Sequence, residues 1–125
     1  NTSLYDNEND NSSVIYFNYK NLKFLFMADA SIKRENDILD MYDLNYIDFL
    51  KVGHHGSNTS SSKKFIDSIN PKYSLISVGE NNRYGHPKEK VLDILNDSKI
   101  CRTDKDGSIE IRLNKNGYKI KNCKP

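Results

Sequence analysis

The stretch "LKVGHHGSNTS", residues 50–60, decides how the chain is read. Apolar residues run into Gly-His-His-Gly-Ser and then into a series of small hydroxyl residues. Two of the three histidines of the 125-residue chain stand side by side here, each next to a glycine. An apolar run that stops at glycine has the form of a buried strand and its end. The glycines let the backbone turn sharply and let other groups come close. Adjacent side chains leave such a turn in different directions. One imidazole can then reach a metal while the other meets substrate or orients a ligand. The plain alternative is a pair of surface histidines in a turn.

The same arrangement occurs on both sides of this stretch. "LKFLFMA" (22–28) is nearly all apolar, reads as a strand buried on both faces, and ends at Asp29. "YIDFLKVG" (46–53) ends at His54, and "YSLISVG" (73–79) runs into the loop "ENNRYGHP" (80–87). Between the first two, "SIKRENDILDMYD" (31–43) brings Ile32, Ile38, Leu39 and Tyr42 near one helical face, with Ser31 as cap. "SSSKKFIDSI" (60–69) is a short helix with hydroxyl caps, turning Phe65, Ile66 and Ile69 inward and stopped by Asn70-Pro71. Pro87 suits the first turn of a third helix, "KEKVLDILND". Upstream, "SVIYFNY" (13–19) pairs with 22–28 as a hairpin. Downstream, "KICRT" is a short strand, "DKDG" and "NKNG" are turns, and "SIEIRL" and "YKIKNC" alternate as strands. Residues 1–12 are polar and loop-like. The pattern is one α/β (α+β) domain over 1–125, with a mixed sheet and hairpins at both ends.

Composition narrows the functional classes. Apolar residues make up 36 % and charged residues 29 %, so the core is modest and centred on the sheet. A formal charge of +2 gives no basic field that would argue for nucleic acid on its own. No apolar run reaches the roughly 20 residues that span a bilayer. The polar start "NTSLYDNENDNSS" carries no signal peptide or initiator Met and reads as an interior cut, so the chain is expected to be a fragment of something larger. Cys101 and Cys123 are too few for a disulfide scaffold and read as free thiols, with pairing open if the last strands are neighbours.

Three loops thus follow three buried strands, and open α/β sheets bind ligands beyond the carboxyl ends of their strands. Asp29 closes a fully apolar strand, where a charge calls for a partner or a metal; helix capping is the alternative. His54 and His55 occupy the second loop. The third carries Arg83 and Tyr84, which can hold a phosphate or stack on a base, and His86, which can point into the same pocket; all three also suit an ordinary loop. The run from Ser57 to Ser62 fits helix capping better than phosphate binding. There is no Gly-x-Ser-x-Gly elbow and no Walker-type glycine loop.

"FLFMADAS", "IDFLKVGHHGSNTSSS", "SLISVGENNRYGHPKEKVLDIL" and "CRTDKDGSIEI", in this order and spacing, resemble the carboxyl-terminal half of a metallo-β-lactamase-fold domain of the DNA-internalisation competence (ComEC) type. The resemblance runs from about Asn9 to Ile111. It implies half of a four-layered αββα sandwich, a mixed sheet with helices on one face, and a site for two divalent ions, zinc or manganese, at one edge. By the same resemblance Asp29 bridges the metals, an alanine replacing the usual glycine before it. His54 or His55 binds one metal, with His54 favoured because it directly follows the strand-end glycine. His55 and His86 join Asp29 as catalytic candidates. Ser57, Arg83, Tyr84 and His86 are substrate-binding candidates, and Asn11 and Ser12 border the site. The His-x-His-x-Asp-His motif of the superfamily is absent, so the missing amino-terminal half of the domain becomes an expected partner, with self-association through the open half-sandwich as another. The implied activity is metal-dependent hydrolysis of DNA or another phosphodiester, in an extracytoplasmic domain of a membrane protein or in a secreted enzyme; the alternative is a non-catalytic half-domain that binds DNA or a partner.

Overall fold

The computed structural model describes residues 13–79 and 85–123. In chain order the elements are β1 (Ile15–Tyr19), β2 (Leu22–Phe26), α1 (Ile32–Met41), β3 (Phe49–Lys51), α2 (Lys63–Ile69), β4 (Tyr73–Ile76), α3 (Glu89–Ile94), β5 (Lys99–Arg102), α4 (Thr103–Asp106), β6 (Glu110–Asn114) and β7 (Gly117–Lys121). β1 to β5 form one sheet in sequence order, and β6 and β7 form a separate hairpin. β1 is antiparallel to β2, and β2 to β5 run parallel, so the sheet is mixed.

Each parallel neighbour is reached through a helix. Right-handed crossovers in a sheet that grows in one direction put α1, α2 and α3 on the same face. Register confirms which face this is. Leu25, Leu50 and Ser74 lie side by side across β2, β3 and β4. Leu25, Leu50 and Ile76 form one buried cluster with Ile38 of α1, Phe65 and Ile69 of α2, and Val91 of α3. Two crossing hydroxyls, Ser74 and Ser98, satisfy each other at 2.7 Å within that layer.

The opposite face is aromatic. Phe17, Phe24, Phe49 and Tyr73 sit in register on β1 to β4. Their rings stack at centroid distances of 4.6, 5.0 and 5.3 Å. Tyr118 of β7 stands edge-on over Phe49 and Tyr73 at 5.1 and 5.8 Å. The β6–β7 hairpin therefore begins a second β layer. A disulfide from Cys101 of β5 to Cys123 fastens it there. The reading of two free thiols is corrected: the end of β7 returns beside β5, with the Cα atoms 5.1 Å apart, within bridging range. The hairpin stops short of β1. Ile15, Phe17, Tyr19 and Phe26 on the same face stay 51, 41, 48 and 39 % exposed.

Several elements are shorter than their sequence patterns. β2 buries Phe24 and Leu25 but leaves Phe26 open, so it is not covered on both faces throughout. β3 spans three residues, although Asp48 and Val52 on its flanks still bond the neighbouring strands. Pro87 precedes α3, whose N-cap is Lys88, instead of opening its first turn. "DKDG" makes most of a single helical turn, α4, rather than a plain turn. Tyr42 lies beyond the end of α1 and is exposed, while Glu35 on the same helix is buried.

Candidate functional site

The three strand-end loops are tied to one another by backbone bonds. After β2, Ala28 accepts the His54 N–H at 2.7 Å, joining the Asp29 turn to the Gly53–Gly56 turn. After β3, Gly56 accepts the Lys88 N–H at 3.0 Å, joining that turn to the segment of His86. No side chain fits at Gly56: a Cβ there would lie 2.5 Å from the Pro87 Cβ. Three of the non-glycine residues here, Ala28, His54 and His55, hold φ of 52, 47 and 53°. The left-handed region costs an L-residue about 1–2 kcal/mol, and such backbone concentrates where side chains must be aimed.

The tight turn aims its two histidines at different partners. Nδ1 of His54 lies 3.2 Å from the Thr59 Oγ1. His55 places Nδ1 2.6 Å from the Ser77 carbonyl oxygen, beyond the end of β4. The ring of His86 meets His54 edge-to-face, with centroids 5.9 Å apart. Desolvation holds the His86 pKa below its usual value, with Lys88, then His54 and His55, adding repulsion.

The hydroxyl run behaves as a brace. The Ser62 Oγ accepts the Phe65 N–H at 3.2 Å and caps α2. Ser60 donates to the Gly53 carbonyl at 3.3 Å. Ser57 is buried, with its hydroxyl 3.0 Å from Thr59 Oγ1. The N–H groups of Ser61 and Ser62 are taken by the carboxylate of Glu35 from α1. Within this run Ser62 is the capping residue, and the other hydroxyls bond within the turn. Burial raises the Glu35 pKa, against the pull of the Ser62 and Ser61 bonds.

Glu35 and Lys51 are charged residues near these loops that motif reading passes over. Lys51 follows Phe49 by two residues, so it shares the aromatic face at the carboxyl end of β3. Burial lowers its pKa, and the negative charge of Asp29 partly restores it.

Asp29, His54, His55 and His86 thus come from three strand ends to one edge of the sheet. Among the described residues, no group of three His, Cys, Asp or Glu side chains is placed to hold a metal ion. The donors among the described residues do not by themselves fit the two-metal centre that the superfamily pattern implies. Arg83, Tyr84, Asn11 and Ser12 lie outside the described residues.

A strand-end aspartate, a paired-histidine turn and a His-Pro loop on the carboxyl edge of a mixed sheet match a known class. Residues 3–80 fit the metallo-β-lactamase superfamily, and the chain belongs to it. Within that superfamily it is similar to ComE operon protein 3 of Bacillus subtilis (strain 168), 36 % identical over 107 residues, covering 84 % of this chain and 14 % of that protein. Competence protein ComA of Neisseria gonorrhoeae is 35 % identical over 115 residues, covering 90 % of this chain and 17 % of that protein. Recombination protein 2 of Haemophilus influenzae is 32 % identical over 107 residues, covering 86 and 13 %. The chain spans less than a fifth of the length of these relatives. The resemblance carried by the motifs is borne out, and the chain is a metallo-β-lactamase-superfamily domain of the kind found in competence proteins.

Proposed function

We propose that the chain is the carboxyl-side half of a metal-dependent phosphodiester hydrolase, a nuclease-like domain of a DNA-uptake competence protein. The observation that carries this reading is the meeting of Asp29, His54, His55 and His86 at one sheet edge from three strand ends. Asp29, His54 and His55 are the chain's contribution to binding divalent ions, and oxygen and imidazole donors suit zinc and manganese alike. Such ions, when bound, polarise a phosphate and lower the pKa of a water. His86, set against His54, is positioned to meet the phosphate or the leaving oxygen. The remaining donors belong to the rest of the domain, which is the partner this reading requires. The disulfide between Cys101 and Cys123 supports an extracytoplasmic location, because disulfides persist in oxidising compartments. Among the described residues no helix is long and apolar enough to cross a membrane.

The test is cleavage of single-stranded DNA by the full-length protein with manganese or zinc, beside a simple chromogenic phosphodiester. Metal-dependent cleavage that disappears in Asp29→Ala is the expected result. Equal rates in wild type and Asp29→Ala would remove Asp29 from the chemistry and overturn the reading. Cleavage of the small ester with intact DNA would keep the hydrolase and reassign its substrate.

A further inference from the structure

The adjacent histidines are held by partners of different chemistry. His55 meets a carbonyl, which only accepts, so Nδ1 carries a proton, and in the neutral ring Nε2 keeps its lone pair. His54 meets a hydroxyl, which donates or accepts, so its partner fixes where the ring points without dictating a tautomer. We infer that Thr59 is a positioning residue: its hydroxyl holds the His54 ring by Nδ1, leaving Nε2 as the nitrogen open to a ligand. This rests on the hydrolase reading for the purpose of the orientation, though not for the orientation itself.

Thr59 is well placed for such a task because it is fixed from three sides. Its hydroxyl lies 3.0 Å from Ser57 Oγ. Its own N–H donates to the same Ser57 oxygen at 3.3 Å. Its carbonyl accepts the Ile32 N–H at 3.0 Å, which ties it to the first residue of α1. Glu35, one turn along α1, grips Ser61 and Ser62 on the other side. The loop that carries the Thr59 hydroxyl is thus clamped to a helix packed in the core. Thr59 itself is exposed, and Ser57 keeps the Thr59 N–H as partner when the hydroxyl is removed. A merely structural role would show as lost stability. An orienting role shows in the ring of His54 while stability barely moves.

Nitrogen-15 NMR of the histidine rings in the 125-residue chain reads this directly. In wild type, His55 is expected as the Nδ1–H form. In Thr59→Val the His54 ring-nitrogen signals should shift, those of His55 should stay, and the melting temperature should be kept. Thr59→Ser should restore the His54 signals. Thr59→Ala, which adds no branched methyl, gives the same reading if valine disturbs the turn. In the full-length protein, phosphodiester hydrolysis should fall roughly 10–100-fold in Thr59→Val, the usual cost of losing a group that orients a ligand, and recover in Thr59→Ser. Unmoved His54 signals in both Thr59→Val and Thr59→Ala overturn the inference, as does full hydrolysis in either. If wild type cleaves no phosphodiester, the functional reading falls, and the NMR arm still decides whether Thr59 sets the ring.

Discussion

Replacing Glu35 with glutamine should weaken the fold and also remove a pH dependence. Glu35 is 1 % exposed, and its two carboxylate oxygens each accept a backbone N–H, from Ser61 and from Ser62. Glutamine keeps the shape but has one carbonyl oxygen, so one N–H is left facing an NH2 group. A buried donor stripped of its acceptor costs about 1–3 kcal/mol. The neutral amide is cheaper to bury than a carboxylate, which places the expected loss in the lower part of that range. The sign of the pH term follows from burial. Glu35 titrates above its ordinary 4.5 in the folded chain. Between the unfolded and the raised folded value, the folded chain holds a proton that the unfolded chain has released. Stability from this group therefore falls as pH rises through that window and is regained as pH drops toward 4.5. The destabilisation by Glu35→Gln should grow as pH is lowered, because only the wild type gains. Urea unfolding of both proteins at a series of pH values measures it. A gap between the two midpoints that is the same at every pH, or a glutamine variant more stable than wild type, would refute the reasoning.

Ala28→Gly should stabilise. It releases about 1–2 kcal/mol of left-handed strain at φ 52° and gives back about 0.5–1 to the freer unfolded chain; a lower melting temperature would contradict this. Gly56→Ala should cost about 2–4 kcal/mol, because the new Cβ meets Pro87 at 2.5 Å and φ is +83°. Calorimetry should show the loss, and a neutral substitution would deny the close approach of the two loops. Reducing the disulfide, or Cys101→Ser, opens a 22-residue loop and should lower stability by about 3 kcal/mol on chain-entropy grounds. An unchanged urea midpoint would mean that the hairpin holds its place without the bond.

The parallel strands were legible because both of their faces are covered over most of their length, which writes them as continuous apolar runs with chemistry at the end. "FLFMAD" and "FLKVGHH" are such runs, and Asp29 and His54 stand in the loops that follow β2 and β3, a few residues past the strand ends. The terminal hairpin was legible from alternation, since Ile111 and Leu113 oppose Ile120 and Tyr118 across it. The cysteine pair was not, because pairing depends on which strand the hairpin returns to, and local pattern does not carry that. Glu35 sits in "IKREND", a polar run that looks solvated. Its burial is decided by the end of another helix, 26 residues further on. Lys51 could have been found by counting, because it alternates with Phe49 and lands on the aromatic face. The left-handed turns at His54 and His55 had a partial signal in their flanking glycines, but the strain falls on the histidines themselves.

Under the proposed function, the open part of the aromatic face and the incomplete donor set among the described residues have one physical origin. On the helix side, a core cluster runs from α1 to α3. On the other side, among the described residues, the second layer covers Phe49 and Tyr73 and goes no further, with Ile15, Phe17, Tyr19 and Phe26 near half exposure. Burying such a side chain fully is worth about 1.5–3 kcal/mol, so these four half-exposed ones hold roughly 3–6 kcal/mol in reserve. That is comparable to a large share of the 5–15 kcal/mol that holds a domain together. Under the proposed function, the cover continues the layer begun by β6 and β7, and its loops reach the edge where Asp29 and His54 stand. A second copy of this chain could shield the rings, but it would bring only another incomplete set of Asp29, His54, His55 and His86. A different segment of the same protein can supply both the cover and the absent donors. Folding of that segment against β1 and completion of the site would then be a single event.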